Sequence, residues 1–262
     1  MEKEIMAALR SIEQEYEVKV LFACESGSRA WGFPSKDSDW DVRFLYVHRP
    51  DVYMSIDPVG VGKKRDVIER PIHDLLDVSG WDLTKALKLF RKSNPPLLEW
   101  LSSDIVYEEA FETAQQMRRL SGSVFSPAAC IHHYMNMGEN NYRAIQGKEK
   151  VKLKKYFYIL RPVLAAKWIA SRQDIPPLSF DHLLDAMVED DALTDVIGQL
   201  LARKRAGEEW NSEPSIPLLD TFLEKELAEL RRKDLFLSQQ TEDPTEQLNE
   251  LFRQTVKEVW TP

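Results

Sequence analysis

Cysteine is scarce, with two in 262 residues, Cys24 and Cys130, far apart in the chain. That spacing excludes a disulfide framework and a clustered zinc site, and Cys24, inside an apolar run, is expected to be a small buried thiol. Histidine is nearly as rare, with five. The adjacent His132 and His133 would point about 100° apart on a helix and cannot chelate together. No run approaches the ~18 apolar residues of a membrane span. The first residues, MEKEIMAALR, lack the apolar core of a signal segment. No membrane partner and a cytoplasmic setting are therefore expected. Positive charge is in deficit, the net being −8, which argues against a general nucleic-acid coat. There is no internal repeat and no low-complexity tract. The composition, 43% hydrophobic and 30% charged, is that of a globular chain long enough for one large or two ordinary domains.

The most informative stretch is Gly27 to Asp41, GSRAWGFPSKDSDWD. A Gly-Ser turn follows an apolar run, and an Asp39-Trp40-Asp41 triplet opens a second one, Val42 to Val47. In extended chain, side chains at i and i+2 share a face about 7 Å apart, so the two carboxylates repel by roughly 2 kcal/mol at an effective dielectric near 20. A cation is expected between them. Oxygen ligands without a neighbouring His or Cys favour Mg2+ or Mn2+, and a pair of ions is the usual clamp for phosphoryl displacement. Gly27 lets backbone N–H groups approach phosphate oxygens, Ser28 adds a hydroxyl, and a helix starting at Arg29 to Trp31 would turn its positive end to the same anion. Arg29 itself either assists with phosphate or makes an outward salt bridge. Gly-Ser and Asp-x-Asp are each common as turns and caps; the joint spacing between two strands carries the argument.

Around this stretch, Ile5, Leu9, Ile12 and Tyr16 predict a helix over 2–16, and Val18 to Glu25 a strand. Pro50 to Gly62 is expected to be a mobile loop near the site. Short strands follow at Asp66 to Ile72 and Leu75 to Trp81, and their acids Asp66, Glu69, Asp74, Asp77 and Asp82 are candidates for a third carboxylate. Asp82 equally suits the N-cap of a helix over Leu83 to Phe90. Ser93-Asn94 before Pro95-Pro96 starts another helix, through Leu101. Strand signals stop near Ser121 to Pro127, where a domain boundary is expected, with helices throughout beyond it. From Arg143 to Arg172 nine basic residues face one acid, a net of +8 that leaves the remainder at −16. Leu153, Phe157, Leu160, Leu164 and Trp168 form a core stripe there. Lys154, Tyr158 and Arg161, with Lys155 beside them, line an adjacent face that reads either as an ordinary solvated basic face or as one suited to a triphosphate or an RNA end. Pro162 is expected to kink or break this helix. Amphipathic helices continue to the last residues.

ESGSRAWGF, SDWDVRFLYV, GWDLTKALKLF, SNPPLLEWL and KKYFYILRPVLAAKWI together resemble the nucleotidyltransferase superfamily of DNA polymerase beta and the kanamycin nucleotidyltransferases, and more narrowly the predicted nucleotidyltransferases associated with RNA ligases. The resemblance implies an α/β (α+β) nucleotidyltransferase fold with a mixed sheet over residues 1–122 and an all-helical substrate domain over 123–262, the site lying in the cleft between them. It implies transfer of a nucleoside monophosphate from an NTP to a hydroxyl, with RNA among the acceptors. It puts the third acid on the strand before GWDLTKAL, which selects Asp77, with Asp39 and Asp41, as holder of two Mg2+ (or Mn2+) ions and as candidate general base. Gly27, Ser28, Arg29, Lys154, Lys155, Tyr158 and Arg161 become the nucleotide-binding candidates. Two rivals use the same residues: a module of this fold that binds a nucleotide or a protein without catalysis, and a metal-dependent phosphohydrolase. Oligomeric state is not legible.

Overall fold

The computed structural model describes residues 1–62, 65–70, 75–208, 212–233 and 243–261. The chain divides into two units: Met1–Ala30, Asp39–Val124 and Gln240–Pro262 form the first, Trp31–Ser38 and Phe125–Gln239 the second.

In the first unit, α1 (Glu2–Tyr16) buries Ile5, Leu9 and Ile12 along one stripe and ends at Glu17, whose left-handed backbone (φ 52°) returns its N–H to the Glu13 carbonyl. β1 (Val18–Glu25) is buried along almost its whole length. After the single turn α2 (Gly27–Ala30) come β2 (Trp40–His48), α3 (Pro50–Tyr53), β3 (Val67–Glu69), β4 (Leu76–Asp82), α4 (Leu83–Arg91), α5 (Pro95–Leu101), β5 (Val106–Glu109) and α6 (Thr113–Val124). The five strands make one mixed sheet in the order β3-β4-β2-β1-β5. β2 and β4 are parallel, and the other neighbours antiparallel. The buried face of α1 packs on Val18, Val20, Val42, Phe44 and Tyr46, and each large apolar side chain so covered contributes about 1.5–3 kcal/mol. Asn94 caps α5 through the Leu97 N–H.

The second unit contains α7 (Pro127–Arg143), β6 (Lys150–Lys152), α8 (Leu153–Arg172), α9 (Phe180–Met187), α10 (Asp191–Arg205), β7 (Ser212–Pro214) and α11 (Pro217–Lys233). Among its described residues the regular structure is helical except for the antiparallel ribbon of β6 and β7. Pro162 does not break α8, which runs continuously for 20 residues. Burial of its neighbours, from Tyr156 to Ala166 on several sides, outweighs the roughly 3 kcal/mol that an internal proline costs. The Trp31–Ser38 segment is tied into this unit by its carbonyls. Trp31 accepts from the Phe180 N–H at 2.9 Å, Phe33 from Lys204 Nζ at 3.1 Å and Gly32 from Arg205 Nη2 at 2.9 Å. The Phe33 ring packs against Phe157 and Phe180.

α12 (Thr245–Trp260) returns to the first unit, so the division departs from 1–122 and 123–262 both here and at residues 31–38. Phe252 meets the Tyr53 ring at 5.0 Å, Thr255 shares a 2.9 Å hydroxyl contact with Thr113, and Thr245 accepts from Arg91. Among the described residues no helix is long and apolar enough to cross a membrane.

Candidate active site

Parallel pairing of β2 with β4 sets the starts of both strands side by side, and Asp41 stands directly opposite Asp77. Asp39 lies two residues before Asp41, ahead of β2, and is exposed. The other acids serve elsewhere. Asp66 pairs with Lys85, and Glu69 lies exposed at the end of β3. Asp82, fully buried, caps α4 through the Thr84 N–H and accepts the Tyr53 hydroxyl at 2.7 Å. Asp74 falls outside the described residues. Pro50–Gly62, expected beside the carboxylates, instead follows the far end of β2. Its Tyr53 bonds Asp82, five residues along β4 from Asp77, or about 16 Å of extended strand.

Asp41 is seated by close approach. Its backbone N–H donates to Glu25 Oε1 at 2.9 Å and its carbonyl accepts from Ser26 N–H at 2.9 Å. Gly27 has a left-handed backbone (φ 61°), and a Cβ there would fall 2.1 Å from Asp41 Oδ2. Glycine is thus required twice over, for conformation and for space. Ser28 follows, half-buried, in the one turn of α2. Arg29 turns back on its own loop, its Nε 3.1 Å from the Asp39 carbonyl and its guanidinium 3.8 Å over the Trp40 ring. It makes a cation–π contact with Trp40.

Two side chains not anticipated as site residues organise this corner. Glu25, fully buried at the end of β1, takes the Tyr107 hydroxyl on Oε2 and the Asp41 N–H on Oε1, while the Ser103 hydroxyl donates to its carbonyl at 2.8 Å. Burial pushes the Glu25 carboxyl above the ordinary glutamate value, opposed by the Tyr107 bond. Arg43, the next residue after Asp41 on the same face of β2, places Nη2 2.8 Å from Asp77 Oδ2 and 3.2 Å from Asp41 Oδ1. Its Nη1 reaches the carbonyls of Val42 and Asp77. Burial raises the Asp41 carboxyl, Arg43 opposes that rise, and the charges of Asp77 and Asp39 add to it. The alternation that groups Asp39 with Asp41 extends to position 43, so Arg43 was legible from the sequence; Glu25 was marked only as an acid ending an apolar run.

The residues fit a hard divalent cation in chemistry. Asp41 and Asp77 are opposed carboxylates that already share a positive charge, and Gly27 leaves room for one of them. Yet no three His, Cys, Asp or Glu side chains among the described residues are grouped as a metal cage; Asp41 and Asp77 are turned to Arg43.

The basic candidates lie in the second unit at the start of α8. Lys154 and Lys155 are half-buried and Tyr158 is exposed. Arg161 departs from the expected face. Only 2% exposed, it sits 4.7 Å over the Trp31 ring and 5.8 Å over that of Tyr134. Trp31 also meets the Tyr158 ring edge-on at 6.4 Å.

The chain is 50% identical over 260 residues to the protein YcgL of Bacillus subtilis (strain 168), covering 99% of this chain and 98% of that one. A crystal structure of a nucleotidyltransferase-like protein from Exiguobacterium sibiricum 255-15 aligns with 97% of this chain and 80% of its own, at 13% identity and a TM-score of 0.31. A family model matches residues 1–254, and the chain belongs to the RNA repair pathway DNA polymerase beta family.

Proposed function

We propose that the protein transfers a nucleoside monophosphate from an NTP to a hydroxyl acceptor, an RNA end, in the cytoplasm. The observation that carries this reading is the opposition of Asp41 and Asp77 beside a glycine whose missing Cβ makes room for the Asp41 carboxylate, in a chain of this family. Asp39, Asp41 and Asp77 would hold Mg2+ or Mn2+, which when bound supplies charge neutralisation for the triphosphate and lowers the pKa of an attacking hydroxyl.

The chain's own part is to bind, orient and move a proton. Gly27 and Ser28 present a backbone N–H and a hydroxyl to the β and γ phosphates. Glu25 holds the Asp41 backbone through the 2.9 Å bond, so the carboxylate presents one direction to the substrate. To Asp77, on β4, we assign the proton of the attacking hydroxyl. Arg29, stacked on Trp40, adds positive charge beside Asp39. To the phosphates of the NTP or the acceptor we assign Lys154, Lys155 and Tyr158, with the buried Arg161 bracing Trp31 behind Tyr158.

The test is incubation of the purified protein with Mg2+ or Mn2+, each of the four α-labelled NTPs and a total-RNA pool, beside an Asp39→Ala/Asp41→Ala control. Label on RNA that the control lacks supports the reading and names the base. Absence of transfer, with calorimetry still detecting metal-dependent NTP binding, returns the fold to a binding role.

A further inference from the structure

Two ionised carboxylates on adjacent strands need a counter-charge whatever else the site does. Here the chain supplies one. Arg43 projects from the same face of β2 as Asp41, and its Nη2 bridges Asp77 Oδ2 at 2.8 Å and Asp41 Oδ1 at 3.2 Å. The second nitrogen is held by the carbonyls of Val42 at 3.1 Å and Asp77 at 3.3 Å, so the guanidinium is locked as a clamp across β2 and β4. It faces the same two carboxylates that the proposed function gives to a divalent cation. Arg43 takes one oxygen of each carboxylate, and a cation on the remaining oxygens would meet the guanidinium's charge, so the two compete for the same pair. A hard cation takes carboxylate oxygens at about 2.0–2.6 Å and repels a neighbouring guanidinium.

We infer that Arg43 is a resident counter-ion of the Asp41–Asp77 pair, with which a divalent cation must compete to bind there. The inference rests on the proposed function only in requiring that this pair binds a divalent cation. It accounts for the carboxylates being turned to Arg43 and for no three acids being grouped as a cage. The pair is reachable from solvent, the side chains being partly exposed: 19% for Arg43, 28% for Asp41 and 30% for Asp77. The consequence is a site whose charge is halved by Arg43 and that stays folded without metal. Its affinity for the free ion is held down, and an NTP that brings both metal charge and phosphate acceptors for Arg43 favours the cation.

The test is Mn2+ binding to the full-length, chelator-stripped protein without nucleotide, read from the free-ion magnetic resonance signal, with thermal denaturation in EDTA and in MnCl2. Variants are Arg43→Gln and, as a gentler change, Arg43→Lys. Removal of the competing charge is expected to tighten Mn2+ binding about tenfold or more in Arg43→Gln, with Arg43→Lys between it and wild type. Melting in EDTA should fall and the rise on adding Mn2+ should exceed that of wild type. A folded Arg43→Gln protein that binds Mn2+ equally well or more weakly overturns the inference and makes Arg43 a positioning residue, leaving nucleotidyl transfer intact. Failure of wild type and both variants to bind Mn2+, alone or with NTP, overturns the inference together with the metal site itself.

Discussion

Gly27→Ala isolates the contact on which the candidate site depends. The added methyl would sit 2.1 Å from Asp41 Oδ2 and 3.0 Å from its Cγ, so the carboxylate must retreat by about 1 Å or more to reach ordinary contact distance. Displacement of that size in a reacting group costs on the order of 100-fold in rate, equivalent to about 2.7 kcal/mol of barrier. The backbone adds a separate cost, because alanine at φ 61° loses roughly 1–2 kcal/mol relative to glycine. Gly32→Ala separates the two effects. Its φ is 86° but nothing lies within 4 Å of the added methyl, so it carries the backbone cost alone. Both variants should melt about 2–8 °C below wild type. In the labelled-NTP assay Gly27→Ala should lose about 100-fold, whereas Gly32→Ala should stay within about threefold of wild type. Equal, near-native transfer by the two variants would refute the argument that Asp41 acts from the space glycine leaves.

Asp82 and Asp77 should part company. Asp82→Ala loses the α4 cap and leaves the Tyr53 hydroxyl without its acceptor, so urea denaturation should show about 2–4 kcal/mol less stability, whereas Asp77→Asn should abolish transfer at smaller cost in stability. Glu25 sets a pH dependence. Its folded carboxyl is raised above 4.5 by burial, so its contribution to stability is complete below that value and is lost as pH rises through the raised one. Glu25→Gln removes the ionisation, and denaturation midpoints from about pH 4 to pH 8 should decline less for the variant than for wild type; a parallel decline would place the pH sensitivity elsewhere. In the second unit, Lys204→Met strands the Phe33 carbonyl in the core and should cost about 1.5–3 kcal/mol by denaturant titration; an unchanged midpoint would show that the 31–38 segment is not secured by this bond.

Local pattern by itself determined the elements that carry the site. The 3.6-residue recurrence of Ile5, Leu9 and Ile12, the apolar run ending at Glu25, the Gly27-Ser28 turn and the Asp39-x-Asp41 entry to β2 are all short-range features, and short-range sterics and burial are what sequence expresses directly. Asn94 before two prolines marked the start of α5 for the same reason. Tertiary structure decided what depends on register and on distant partners. Asp77 rather than Asp82 faces Asp41 because β4 pairs in parallel with β2, a choice made by crossover and packing and not by either strand's residues. The loop after Arg49 leaves the opposite end of that pairing, so its length and polarity said nothing about where it would lie. α12 covers the first unit and Trp31–Ser38 joins the second because an amphipathic stripe or an aromatic residue specifies that it will be buried, not against what. Arg161, one of a run of basic residues in sequence, became an interior cation only once α7 and the 31–38 segment supplied aromatic faces for its guanidinium.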